Sequence, residues 1–209
     1  MTKHQNNKEK TILAAAKDEF LDKGFDGART TSIARQAGVT HAMLHYYFNT
    51  KEELFSGIFE NLIGEMAENL TLLFADSNKP FMERIKEGLA LHFDFVTANP
   101  RLPLFIIREI ASRPERIHII GDTIAKNAGK LFMTLQQSIN EAASRGEVAP
   151  IDAPTLLIDM LSLNVFPHLL KPVFNEFIAQ SPKEAELFLE ARKQENIEII
   201  TRRLKPNKQ

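Results

Sequence analysis

Apolar residues in this chain recur three and four apart along almost its whole length, and nowhere do they alternate strictly with polar ones. That period lines one face of an α-helix and cannot line one face of a strand, so it predicts an all-α protein of about nine helices. The first covers about 8–23, with Ile12, Leu13, Ala16, Phe20 and Leu21 as its stripe and Gly24 as a left-handed cap. Two short helices follow near 31–37 and 41–47. Thr50-Lys51-Glu52-Glu53 then has the form of a capping box, the threonine hydroxyl meeting a backbone N–H and Glu53 answering back. It opens a helix striped by Leu54, Ile58, Leu62, Met66, Leu70 and Leu73. At ~1.5 Å per residue that helix is ~36 Å long, enough to leave one small domain and enter another. Breaks at Asp76–Pro80, Asn99-Pro100 and Ser112-Arg113-Pro114 separate helices near 81–97, 102–111 and 118–144, the last striped by Ile120, Ile124, Leu131, Leu135 and Ile139. Two more are expected near 153–170 and 182–204.

At 209 residues the chain suits one large domain or two small ones. The expected division is 1–50 and 51–209, joined by the long helix that starts at 51. There is no cysteine, which removes disulfides, thiolate nucleophiles and cysteine-held metals or clusters. No G-x-S-x-G, H-E-x-x-H or phosphate-cradling glycine loop is present, so no catalytic residue and no cofactor is expected. The opening MTKHQNNKEKT is polar, and the longest apolar stretch, 156–170, is interrupted by Asp159, Asn164, Pro167 and His168. The expectation is a soluble cytoplasmic protein without a membrane span. Net charge is −1, yet residues 1–51 carry eight Lys or Arg against five acids and the remainder carries an excess of four acids. A basic end on an acidic body fits a protein that meets a polyanion at one end.

The basic end holds TTSIARQAGVTHAMLHYYFN, residues 30–49. A helix-turn-helix requires a small residue where its helices cross, and Ala34 stands there. Four residues on, the turn requires a positive φ, which Gly38 adopts without a Cβ clash. Leu44 falls where the second helix must plug the small core, and Ile33, Ala37, Val39 and Phe48 supply other inward positions. Thr30 and Thr40 are placed to cap the two helices. A helix over 41–47 is ~10 Å long and fits a B-DNA major groove ~12 Å wide. Its outer side shows His41, Ala42, Met43, His45 and Tyr47, with Lys51 just beyond: donors for phosphates and base edges, and apolar groups for a thymine methyl. His41 and His45 lie four apart, but no third ligand accompanies them, and no metal is expected.

The segments ILAAAKDEF, GFDGARTTSIARQAGVT and LHYYFNTKEELF, between Ile12 and Phe55, resemble the DNA-binding domain of the tetracycline-repressor (TetR) family of bacterial transcriptional regulators. The length and the all-helical pattern agree with that resemblance. It implies that Thr30, Thr31, Thr40, His41, Ala42, Met43, His45, Tyr47 and Lys51 approach double-stranded DNA. Tyr46, Tyr47 and Lys51 would clamp phosphates, while His41 to Met43 and His45 would read bases. Many relatives carry lysine or another polar residue where His41 stands, and glycine where Ala42 stands, so the DNA sequence read does not carry over.

The resemblance further implies that the remaining helices bind a small effector and form a homodimer through the last two long helices. Residues 156–170 are apolar nearly all round, which agrees with a dimer; Leu157, Leu161 and Phe166, with Ile197, Ile200 and Leu204, are the expected interface. Two such protomers would meet a near-palindromic operator. A hydrophobic or amphipathic effector is expected among Met66, Phe105 and Phe132, with Asn164 and His168 as polar points. Arg108-Glu109, inside LPLFIIREIA, reads as a buried ion pair or effector anchor, or else as a half-exposed helix face.

Overall fold

The computed structural model describes residues 3–112, 117–177 and 181–206, and among these every regular element is helical. The order is α1 (Lys3–Gly27), α2 (Thr30–Gln36), α3 (His41–Tyr47), α4 (Lys51–Ala75), α5 (Phe81–Ala98), α6 (Leu102–Ser112), α7 (Ile117–Ser144), α8 (Ala153–Leu169), α9 (Lys171–Phe177) and α10 (Pro182–Arg203). The short α9 is one element more than the periodicity marks. Residues 113–116, where a break is expected after Ser112, lie outside the described residues, as do the side chains of Ile120 and Ile124. Among the described residues no helix is long and apolar enough to cross a membrane.

The chain packs as two units, 1–65 with 105–127, and 66–104 with 128–209. The first therefore takes in the start of α4, most of α6 and the start of α7 besides the N-terminal stretch. Its centre is aromatic. Phe20, Phe25 and Phe55 meet at 5.1–5.9 Å between ring centroids, and Phe59 and Phe105 continue the cluster from Phe55. Aromatic pairs of this kind, stacked or edge to face, add about 0.5–1.5 kcal/mol each beyond the area they bury. Phe25 reaches the cluster because α1 is broken at Gly24, whose φ of 69° only glycine adopts at no steric cost. The Phe25 N–H is then taken by the buried carboxylate of Glu109, from α6, at 3.1 Å.

In the second unit α5, α8 and α10 pack on one another. Phe81, Ile85, Leu89, Phe93 and Val96 give α5 a buried face at helical spacing. Leu131, Leu135 and Ile139 of α7, Leu156 and Met160 of α8, and Ile200 and Leu204 at the end of α10 close the core. Asp152 caps α8 through Thr155, and Ser181 caps α10 through the Glu184 N–H with Pro182 behind it. Several polar groups inside this unit are matched, though the buried Arg84 Nε finds no partner among the described residues. The Asn164 amide donates to the Leu89 carbonyl at 3.0 Å, and Asn196 donates to the Asn164 side chain and to the Leu163 carbonyl. A satisfied asparagine ladder fixes the register of three helices, since any slip would strand buried amides. Arg84 is likewise buried: with Ser138 it caps the end of α4 by donating to the Phe74 carbonyl.

Candidate nucleic-acid interface

Residues 28–53 of the first unit build one exposed face from three short pieces. Among its helix ends α2 is the unusual one, because its N-cap residue Arg29 makes no side-chain cap. Glu19, on the inner stripe of α1, ties this helix end down instead. Its carboxylate accepts from the Arg29 N–H at 3.2 Å, the Ser32 hydroxyl at 3.1 Å and Lys23 at 2.7 Å, while only 5% exposed. Burial by itself raises its pKa, but these three donors and the Lys23 charge outweigh burial and hold it below the usual value of 4.5. Thr30, expected as the cap, instead places its hydroxyl 3.0 Å from His41 Nε2 and so joins α2 to α3.

The turn has a Schellman pattern. Gly38 N–H donates to the Arg35 carbonyl, Val39 N–H donates to the Ala34 carbonyl, and Gly38 stands at φ 64°. Thr40 then caps α3, accepting the Met43 N–H at 3.1 Å. Inside, Ile33, Ala34, Leu44 and Phe48 are buried, and Val39 is half-buried. At the start of α4 the Thr50 hydroxyl accepts the Glu53 N–H, but Glu53 answers one residue earlier than a capping box would, at the Asn49 N–H, 2.8 Å away.

With Leu44 and Phe48 turned inward, α3 shows Thr40, His41, Ala42, His45 and Tyr46 to solvent, and Met43 and Tyr47 are half-buried. The two imidazoles lie edge to face, 4.4 Å between centroids. His45 Nδ1 is 3.2 Å from the Asn49 carbonyl, and since a carbonyl only accepts, Nδ1 carries the proton. With Nδ1 as the donor, Nε2 is the ring atom that faces a major groove, an acceptor for the exocyclic amino groups of adenine and cytosine whenever it carries no proton. Ala42 is small enough for a base methyl to approach. Tyr46 is 73% exposed, and its ring meets that of Tyr47 edge to face. Lys51 is drawn back, its ammonium 3.4 Å from the Asp26 carbonyl and over the Phe25 ring. Thr31 is exposed at the start of α2.

Two residues that support this face from α1 were not singled out from sequence. Glu19 could have been, since a carboxylate at the position of the apolar stripe between Ala16 and Phe20 has to be buried with partners. Lys8 places its ammonium 3.7 Å from the Met43 sulfur and so stands over the first turn of α3; only the basic charge of the N-terminal stretch hinted at it. The remaining expected sites separate by unit. Phe105 and Glu109 are buried in the first unit, with Arg108 exposed beside them. In the second, Met66 and Phe132 are half-buried against the core, and Asn164 and His168 are buried on α8. Leu157, Ile200 and Leu204 are spent inside the second unit, Ile197 is half-buried, and Leu161 and Phe166 face outward.

The family model described as "Bacterial regulatory proteins, tetR family" matches residues 12–58, the segment that carries this face. The HTH-type transcriptional regulator RutR of Escherichia coli (strain K12) is 31% identical over 155 residues, which is 74% of this chain and 70% of RutR. Among solved structures, the transcriptional regulator FadR from Bacillus subtilis, in complex with stearoyl-CoA, has a TM-score of 0.71 at 17% identity, covering 93% of this chain and 98% of that one. A TetR transcription regulator from Haloarcula marismortui has a TM-score of 0.70 at 18% identity, covering 96% of this chain and all of that one. Fold, motif and kinship with RutR converge, and the chain belongs to the TetR family of helix-turn-helix, DNA-binding transcriptional regulators.

Proposed function

We propose that the chain is a homodimeric repressor of the cytoplasm, not an enzyme, that holds a near-palindromic operator and releases it when a small apolar effector binds. The observation that carries the DNA half is the division of α3. Leu44 and Phe48 anchor it from within, while His41, Ala42 and His45 are exposed to solvent, where a groove-entering helix presents its reading side chains. His41 to Met43 and His45 are the base-reading set. Thr30, Thr31, Thr40, Tyr46, Tyr47 and Lys51 hold the backbone, with the Lys51 ammonium leaving the Asp26 carbonyl for a phosphate.

The dimer half is supported by α8, where Ile158, Leu161 and Phe166 are 61, 46 and 59% exposed. They lie at i, i+3 and i+8, one apolar stripe on a helix whose opposite side is in the core. Leu157, Ile200 and Leu204 support that stripe from beneath. The effector half is supported by the half-buried Met66 and Phe132 against the second core, and by FadR, a neighbour in fold that was crystallised with stearoyl-CoA. An effector releases DNA only if it binds the DNA-incompetent arrangement more tightly.

The test is selection from sheared genomic DNA of the source organism at ~150 mM salt, with wild type and a Tyr47→Ala, Lys51→Ala double variant side by side. Enrichment of a short palindrome by wild type alone is the expected outcome. A folded wild type that enriches no sequence overturns the operator reading.

A further inference from the structure

The first unit holds an open cleft of about 640 Å³ that the α3 reading face does not use. It is lined by Lys23 of α1, by Gly27 and Arg29 on the way into α2, and by Thr31, Ser32 and Arg35 of α2. Three of these six are cations and none is an acid. Lys23 is held by Glu19, but among the described residues neither the Arg29 nor the Arg35 guanidinium has a hydrogen-bond or ion-pair partner, and both residues are exposed. Glu19 itself is buried beneath α2 with its oxygens taken by Lys23, the Arg29 N–H and the Ser32 hydroxyl, so it makes no hydrogen bond to either guanidinium. Two unpaired guanidiniums in one concavity repel each other and stay solvated until an anion arrives. Their planar, forked donors match a phosphate better than any neutral ligand.

We propose that this cleft takes a phosphodiester of the DNA strand flanking the groove that α3 enters, with Arg29 and Arg35 as its donors. The assignment rests on the reading of α3 as the groove helix. Thr31, on the rim, follows directly on Thr30, whose hydroxyl touches His41 at the start of α3. One residue of chain spans ~3.8 Å, and B-DNA carries a phosphate charge per ~1.7 Å of its axis. A duplex seated on His41 therefore brings backbone to the cleft. The cleft contributes affinity and register without reading sequence, because phosphates are alike.

The experiment measures binding of the full chain to a short mixed-sequence duplex between ~50 and ~200 mM salt. Wild type is compared with Arg29→Ala/Arg35→Ala, with Arg29→Lys/Arg35→Lys and with Lys51→Ala. Thermal melting in the absence of DNA establishes that each variant is folded. The expected result is that the alanine pair flattens the plot of log affinity against log salt by about 0.9 for each phosphate that a subunit no longer neutralises. The lysine pair is expected to keep most of the slope, and the palindrome selected from genomic DNA to stay the same. A folded alanine pair with the wild-type slope, while Lys51→Ala lowers it, overturns the cleft and leaves the α3 reading standing. A wild type without affinity for DNA at low salt overturns both. A melting temperature that rises with inorganic phosphate at fixed ionic strength, in wild type but not in the alanine pair, with unaltered DNA slopes, marks a free-anion site and also overturns the assignment.

Discussion

Replacing Glu19 separates a charge that positions the DNA-reading helices from one that decorates a surface. Three donors converge on its buried carboxylate. The Lys23 pair adds little, because that lysine is 49% exposed and pairs of this kind contribute about 0–1 kcal/mol. The Arg29 N–H and the Ser32 hydroxyl are different: hydrogen bonds to a charged acceptor contribute about 1.5 kcal/mol or more each. Glu19→Ala should therefore destabilise the first unit by about 3 kcal/mol. Glu19→Gln, which keeps one carbonyl oxygen to accept, should cost about half as much. In a chain of this size 1 kcal/mol moves the melting midpoint by ~2–4 °C, so the alanine variant should melt ~6–12 °C lower. Both tyrosines, Tyr46 and Tyr47, lie on α3 and the chain has no tryptophan, so intrinsic fluorescence follows this unit specifically.

The pH dependence sharpens the test. The folded pKa of Glu19 lies below its ordinary value of 4.5, so its contribution is complete above pH 4.5 and is lost as pH falls through the folded value. The gap between wild type and Glu19→Gln should be constant from pH 7 to 5 and should close as the solution becomes more acid. A glutamine variant that melts with wild type at pH 7, or a gap that widens in acid, would refute the claim that the ionised carboxylate holds α2.

Three other outcomes are expected. Gly24→Ala forces a side chain into a left-handed conformation and sets its Cβ 2.9 Å from an Arg108 nitrogen and 3.3 Å from a Glu109 oxygen. The arginine end can swing away, so the backbone dominates, and a loss of about 1–2 kcal/mol is expected in urea titrations followed by tyrosine fluorescence. His92 is held neutral, its pKa lowered to about 4 by burial first and by the neighbouring His168 second. Stability should accordingly be full above pH 6.5 and fall by up to about 3 kcal/mol as pH drops to 4, a loss that His92→Gln should flatten in denaturant midpoints measured across that range. Leu161→Glu with Phe166→Glu changes two exposed side chains, so the fold should melt as wild type while sedimentation equilibrium shows monomer in place of dimer; a variant that remains dimeric would remove α8 from the interface.

Much of the DNA-reading segment was legible because its constraints are local. Ala34, Gly38, Thr40 and Leu44 each answer a steric or hydrogen-bonding demand set within four or five residues, and the structure shows the same demands met by the Schellman turn and the Thr40 cap. Gly24 was legible for the same reason. Thr30 was not: a hydroxyl at a helix start has a local use as a cap, but here a buried acid on α1 takes the Arg29 N–H and the Ser32 hydroxyl, and the Thr30 hydroxyl meets His41 instead.

The less legible part depends on what packs against what. Residues 156–170 are apolar nearly all round, and that pattern does not tell one side of the helix from another. Leu157 and Leu161 stand four apart, neighbours on the same side of α8, yet one is 9% exposed and the other 46%. What separates them is the cover given by other helices, since α5 and α10 pack on α8 from residues 81–98 and 182–203, and a helix's own pattern does not contain the positions of its partners. Ile200 and Leu204 show the converse: they end a predominantly polar helix and look like surplus apolar surface, but they complete the core beside Val148 and Ala153. A helix whose hydrophobic residues exceed one stripe has surface to spare, and only the fold decides which residues remain for a second chain. By that argument Ile158, which no sequence criterion distinguishes from Leu157, is left on the surface as a member of the proposed dimer face, and Leu157 belongs to the core.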